Sequence, residues 1–162
     1  CAVGKLAEIA AVGNGRVVAI EGRKDEFNLG QHERLEIHPS GGLFAELPQP
    51  IDVAINCAFL RTQDSETMTQ NFDHTEHEIF RFEELKINTV INISTQGVYK
   101  RLPKGNLSSE DSPIAPIDVY SMAKYATEKM FVLSSIPHVV NVRLASLMMP
   151  QRFLYFFVQK DL

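Results

Sequence analysis

With 162 residues, 44% of them apolar and 22% charged, the chain has the size and composition of one globular domain with a sizeable core. A net charge of −4 disfavours nucleic acid, whose phosphates need clustered Lys and Arg, and no apolar run approaches the ~18 residues of a membrane-spanning helix. The opening Cys1-Ala-Val-Gly4-Lys5 lacks the basic and apolar regions of a signal peptide, and the two cysteines, Cys1 and Cys57, make neither a disulfide framework nor a zinc site.

A reducing, cytoplasmic setting is therefore expected. Cys57 lies inside an apolar run and is expected as a buried thiol.

In chain order, residues 5–12 are rich in helix formers and predict a helix, stopped by Gly13-Asn14-Gly15. Arg16 to Glu21 is a β-branched run expected as a buried strand, and Leu35 to His38 is a weaker one. Leu43 to Leu47 reads as a short helix or turn, and Ile51 to Asn56 as a strand. A helix is predicted from about Thr69 to Leu85, on the spacing of Phe72, Ile79, Phe80, Phe82 and Leu85. Thr89 to Ile93 follows as a strand, then a proline-punctuated loop, a helix from about Val119 to Leu133, and a last strand from His138 to Leu144. Phe153 to Val158 is a final apolar stretch.

Near-continuous apolar strands alternating with helices predict a doubly wound parallel sheet with helices on both faces. Ligands bind such sheets at the carboxyl ends of the strands. Glu21, Asn56 to Ala58 and Ser94-Thr95 all fall at such ends.

Tyr-x-x-x-Lys puts a phenol and an ammonium on one face of a helix. A neighbouring cation favours phenolate, lowering a tyrosine's pKa toward neutral pH, where it can exchange protons with a hydroxyl or carbonyl. The chain has two such pairs, Tyr120/Lys124 and Tyr125/Lys129. Five residues turn a helix through about 500°, so the two tyrosines face different ways. Tyr120 is the candidate, since it opens its helix beside the small residues Ser121 and Ala123; Tyr125 and Lys129 read as a packing aromatic and a solvated lysine. His74 and His77 stand three apart, but a polar helix face explains them better than a metal site, because no third ligand is evident.

Ser94-Thr95-Gln96-Gly-Val-Tyr99, Glu110-Asp-Ser-Pro113 and Tyr120-Ser-Met-Ala-Lys124 together resemble the NAD-dependent epimerase/dehydratase family, the extended short-chain dehydrogenase/reductases. Asp52 to Ala58 resembles the family's strand beside the cofactor, Asn71 its helix asparagine, and Arg143 to Pro150 its Arg-x-x-Asn-x-x-Gly-Pro, with Ser146 replacing Asn and Met149 replacing Gly. The resemblance implies catalytic roles for Thr95, Tyr120, Lys124 and Asn71. Thr95 would polarise a substrate oxygen, Tyr120 would be acid/base, Lys124 would hold the nicotinamide ribose and lower the tyrosine's pKa, and Asn71 would position the helix and its waters. A helix cap is the plain alternative for Asn71.

By the same resemblance the cofactor is NAD, or NADP, held by Gly4, Glu21, Arg23, Asn56, Cys57, Ala58, Ser94 and Lys124. Glu21 would accept from a ribose diol, favouring NAD, whereas Arg23 would meet a 2′-phosphate, favouring NADP. Thr95, Gln96 and Ser146 would touch a small-molecule substrate, a nucleotide sugar. No nucleic acid, membrane or metal is implied, and a homodimer is compatible.

The family's glycine-rich phosphate loop is not in this sequence. Residues 1–162 are therefore expected to be a partial Rossmann-like dinucleotide-binding domain, a fragment of a longer protein without its first strand and its C-terminal substrate domain. Such a sheet would expose apolar edges. The expected activity is hydride transfer with tyrosine acid/base catalysis. A non-enzymatic dinucleotide-binding regulator, or a reductase of a steroid- or flavonoid-like substrate, are the rivals.

Overall fold

A computed structural model describes residues 7–12, 16–21 and 35–39 as backbone strands and residues 50–61, 63–103 and 108–145 in full. Six strands form one sheet: β1 (Ala7–Val12), β2 (Arg16–Glu21), β3 (Leu35–Pro39), β4 (Ile51–Asn56), β5 (Thr89–Thr95) and β6 (His138–Leu144). Helix α1 (Ser65–Glu84) joins β4 to β5, and α2 (Val119–Val132) lies between β5 and β6. The spatial order is β3-β2-β1-β4-β5-β6, the order of a doubly wound dinucleotide-binding sheet. The pairs β2–β3, β4–β5 and β5–β6 are parallel.

The expected helix over residues 5–12 is instead a strand. β1 runs antiparallel to both β2 and β4 and fills the central slot between them. A helix of eight residues is marginal on its own, whereas a strand here pairs two edges that would otherwise lie open. Its register with β2 closes at Val12 opposite Arg16. Only three residues separate the two paired strands, and in the sequence Asn-Gly is as strong a signal for a hairpin as for a helix stop. The expected short helix at Leu43 to Leu47 lies outside the described residues, as does the stretch from Phe153 to Val158.

Helix α1 begins four residues earlier than its apolar spacing suggests. Asp64 caps it, its carboxylate accepting the Thr67 N–H at 2.7 Å. The C-terminus closes as a Schellman motif: Ile87 N–H donates to the Phe82 carbonyl and Lys86 N–H to that of Glu83, with Lys86 left-handed at φ 54°. That turn packs Ile87 against Phe82 in the core, beside Ile51, Ala54, Val90, Phe131 and Ile136. Burying each of the larger of these side chains contributes roughly 1.5–3 kcal/mol.

The path β4–α1–β5–α2–β6 moves steadily across the sheet, so right-handed connections put α1 and α2 on one face, where they pack on each other. Val90, Asn92 and Ser94 alternate toward that face and are buried. No helix among the described residues is long and apolar enough to cross a membrane.

Candidate active site

The carboxyl ends of β4 and β5 meet the first turns of α2. Asp118 caps α2, accepting the Ser121 N–H at 2.9 Å and the Ser121 hydroxyl at 3.0 Å. Tyr120 therefore sits in the first turn and Lys124 one turn on. Thr95 ends β5 and caps a short 3-10 turn, Gln96–Val98, by accepting the Gly97 N–H at 3.2 Å. Since Thr95 Oγ1 accepts there, its own O–H remains available to donate. Gly97 lets this turn approach α2: a Cβ at that position would lie 2.4 Å from Ser121 Oγ. The acidic-proline loop folds back along the same turn, with Lys100 N–H donating to the Pro113 carbonyl at 2.7 Å and Ala115 N–H to that of Val98 at 3.0 Å. A cavity of about 290 Å³ opens beside it, lined by Gln96, Tyr99, Lys100, Arg101 and Asp118 among others.

The loop after β4 closes the site from the other side, and it is held at two points. Asn56 accepts the Ala58 N–H at 3.0 Å. Asn71 then pairs with both backbone groups of Leu60, accepting its N–H at 2.8 Å and donating to its carbonyl at 2.9 Å. Asn71 is thus a buried loop clamp rather than a helix cap, the cap being Asp64, seven residues before it.

Between those two clamps the chain presents Phe59, and Arg61 follows. The Phe59 ring meets Tyr120 edge to face, centroids 5.7 Å apart, and lies 4.1 Å from the Lys124 ammonium. The Arg61 guanidinium stands 5.4 Å from the centre of the Tyr120 ring. Neither residue carries a periodic or motif signal, so sequence reasoning missed both. The one available cue was their place directly after a predicted strand end.

Lys124 is buried and donates to the Ile93 carbonyl at 2.8 Å. Burial pushes its pKa down to about 8, with Cys57 and Glu128 pulling the other way. The expected lowering of the Tyr120 pKa by Lys124 is not found. Burial raises the phenol above its ordinary value, Arg61 opposes that, and Asp118 adds to it. The reason is geometric: the ammonium is anchored to β5 and faces Phe59. Tyr125 and Lys129 form the expected peripheral pair, the exposed ammonium 5.1 Å from the ring centre.

Cys57 is exposed, contrary to the expected buried thiol. Enough protein still surrounds its sulfur that burial raises its pKa, against a smaller pull from Lys124. Ser94, expected at the cofactor, is buried and gives its hydroxyl to Glu128 on α2. Asn56 and Asn92 form a ladder with Asn141, at matched positions of three parallel strands, through bonds of 3.2 and 2.8 Å. Glu21 ends β2 at the same edge of the sheet. Gly4, Arg23 and Ser146 lie outside the described residues. Among the described residues no three His, Cys, Asp or Glu side chains gather as a metal site.

The strand order, with Thr95, Tyr120 and Lys124 at one sheet edge, defines a Rossmann-like α/β protein. The chain belongs to the NAD dependent epimerase/dehydratase family, whose model matches residues 6–154. No curated protein sequence matches it significantly. Among solved structures it is similar to the Bordetella bronchiseptica enzyme WbmG in complex with NAD, at 18% identity and a TM-score of 0.65, covering 91% of this chain and 53% of that one. It is similar also to the UDP-N-acetylglucosamine 4-epimerase of Methanobrevibacter ruminantium in complex with UDP-N-acetylmuramic acid (21%, TM-score 0.59, 76% and 45% covered). A third is the UDP-glucuronic acid 4-epimerase of Bacillus cereus in complex with NAD (22%, TM-score 0.54, 69% and 39% covered). At these identities the likeness establishes the fold. The chain spans about half the length of the first of these proteins.

Proposed function

We propose that this chain is the dinucleotide-binding and catalytic part of an NAD-dependent enzyme acting on a nucleotide sugar, as an epimerase, dehydratase or reductase. The observation that carries the reading is the placement of Thr95 at the end of β5 and of Tyr120 and Lys124 in the first two turns of α2, at the same edge of the sheet, in a chain that belongs to this family. The complexes of the similar structures, with NAD and with a UDP-sugar, support the choice of cofactor and substrate class.

The residues present fit NAD. An ammonium carries three donors, and the Lys124 bond to Ile93 uses one, leaving capacity for ribose hydroxyls. Glu21, the strand end Asn56 to Ala58 and Lys124 would hold the cofactor, with Gly4 and Arg23 as further candidates. NAD supplies the acceptor and donor of hydride. The chain supplies proton control. Thr95 donates its O–H to a substrate oxygen, with Gln96 beside it. Tyr120, whose raised pKa keeps it a phenol at neutral pH, delivers or recovers the proton at that oxygen. Asn71 acts by holding the loop that carries Phe59 and Arg61 onto Tyr120.

The exposed apolar residues Phe80 on α1 and Met122, Val132 and Leu133 on or next to α2 support a homodimer through this helical face. A cytoplasmic setting accords with the free Cys57.

Tyr120→Phe in the intact protein keeps the ring contact with Phe59 and removes only the hydroxyl. Turnover of a UDP-sugar with NAD should fall by about a hundredfold or more. NADH binding, followed by its own fluorescence in a chain with no Trp, should be nearly unchanged. Retained turnover would sink the assignment, and a protein that binds NADH yet turns over nothing in either form points to the regulatory alternative.

A further inference from the structure

We propose that Glu128 is a positioning residue for the Tyr120–Lys124 pair: one helical turn beyond Lys124, its carboxylate locks α2 onto β5 and β6 through Ser94 and Arg143 and supplies the negative charge that keeps the buried Lys124 ammonium protonated. The inference rests on the reading of Tyr120 and Lys124 as the reacting pair.

The geometry is unusually complete for a carboxylate at the back of a helix. Glu128 is buried, accepts the Ser94 hydroxyl, and takes Arg143 in a two-pronged bond, Nε at 3.0 Å and Nη2 at 2.7 Å. Arg143 in turn stacks 4.7 Å from the centre of the Tyr99 ring, at the foot of the turn that Thr95 opens. Two successive residues of β5 are thus gripped from one helix: Lys124 binds the Ile93 carbonyl and Glu128 the Ser94 hydroxyl. The next residue is Thr95. With both grips made, α2 can neither slide nor turn without moving Tyr120 relative to the end of β5.

The electrostatic part follows from which anions face Lys124. Burial disfavours its charge, while Cys57 and Glu128 favour it. Cys57, on the loop after β4, has a raised pKa and is a neutral thiol at neutral pH; it contributes no charge there. Tyr120 is likewise a neutral phenol. On β5 the groups that touch Lys124 and Glu128, the Ile93 carbonyl and Ser94 hydroxyl, do not titrate. Arg61 faces Tyr120, and Arg143 of β6 lies on Glu128. Helix α1, packed on α2, carries His74 and Glu78, the latter paired with Arg81. Glu128 remains as the negative charge acting on Lys124 near neutrality. It does so while bonded to Arg143, which keeps a carboxylate tolerable in the core.

A titration of the intact protein labelled with ¹³C-lysine tests this directly, the Lys124 resonance being the one lost in Lys124→Arg. The parent should titrate at about 8. In Glu128→Gln the ammonium should titrate lower by roughly half a pH unit or more. The paired variant Glu128→Gln/Arg143→Met removes both buried charges together, the change such pairs tolerate best, and should shift the same way. A purely packing role predicts the opposite sign: loosening α2 admits water, and Lys124 moves up toward 10.5 or stays. Either of those results overturns the proposal. Tyr120→Phe turnover judges the catalytic reading separately, since the lysine titration needs no activity.

Discussion

Lys124 donates to the backbone carbonyl of Ile93 at 2.8 Å, so its ammonium is anchored to β5 rather than to the phenol one turn before it. A charge so buried carries a pH signature. Lys124 titrates at about 8 in the fold against 10.5 for a free side chain. Below pH 8 both states hold the proton and the cost of burying the charge is fully present. Between about 8 and 10.5 the folded protein releases it first, the unfolded chain binds more protons, and stability rises with pH. The depression is worth roughly 3 kcal/mol. Urea unfolding of the parent and of Lys124→Met across that window should therefore show the parent gaining up to about 3 kcal/mol relative to the variant. A constant difference across the window would mean that Lys124 is not held as described.

Gly97 is a second fixed point, because its missing side chain is where Ser121 lies. An added Cβ would sit 2.4 Å from Ser121 Oγ and 3.4 Å from Ser121 Cβ. The hydroxyl is itself bonded to Asp118, the cap of α2, so rotating it away loosens the helix start that carries Tyr120. Gly97→Ala should cost about 1–3 kcal/mol by overpacking and reduce activity with it. Ser121→Ala removes the closest atom. The double variant Gly97→Ala/Ser121→Ala should thus be more stable than Gly97→Ala alone, which a denaturation cycle over the four proteins measures.

Much of this was legible in the sequence, for reasons that differ along the chain. β2, β4 and β6 were predicted to the residue or nearly so, because apolar β-branched runs bounded by turn residues leave little choice. Thr95 at the end of β5, and Tyr120 and Lys124 in the first turns of α2, could be placed from the sequence because a strand end and a helix start are fixed points of such a fold. Residues 5–12 failed: their helix-forming composition says nothing of two open strand edges waiting on either side. Phe59 and Arg61 were invisible because their meaning lies in how the loop is held, by Asn56 locally on Ala58 and by Asn71 reaching from α1 to Leu60. Ser94 was misassigned because a hydroxyl at a strand end reads alike whether it faces a cofactor or a buried carboxylate.

The Asn71 clamp makes a prediction with a pH signature. Asn71→Leu leaves the N–H and carbonyl of Leu60 without their partner, at a cost of about 1–3 kcal/mol for each group that water cannot reach. Asn71→Asp keeps the acceptor for the N–H but turns a charged oxygen toward the carbonyl that Asn71 now donates to. That repulsion raises the carboxyl's folded pKa above its unfolded value, so the folded state holds its proton more tightly. Asn71→Asp should therefore be destabilised at neutral pH and recover, relative to the parent, as pH falls through that folded pKa. Thermal unfolding from pH 7 down to about pH 4 would read the recovery. Its absence would mean that the side chain is turned away from Leu60.

The Phe59 ring covers the Lys124 ammonium, and its removal pits two effects against each other. Its ring lies 4.1 Å from the ammonium. A cation–π contact of this kind favours the charged form by about 0.5–2 kcal/mol, so losing it alone would lower the pKa of Lys124. The same ring also keeps solvent off the amine, and burial is the largest cause of the depression to about 8. That depression is roughly 3 kcal/mol, more than the ring contact supplies. Hydration should win. In Phe59→Ala the Lys124 amine should titrate above 8, toward 10.5, in the same ¹³C-lysine experiment, while Phe59→Leu, which keeps an apolar cover but no π face, should move it down. Opposite directions in the two variants would separate solvent exclusion from cation–π attraction at this lysine; a fall in both would make the ring's charge contact the dominant effect.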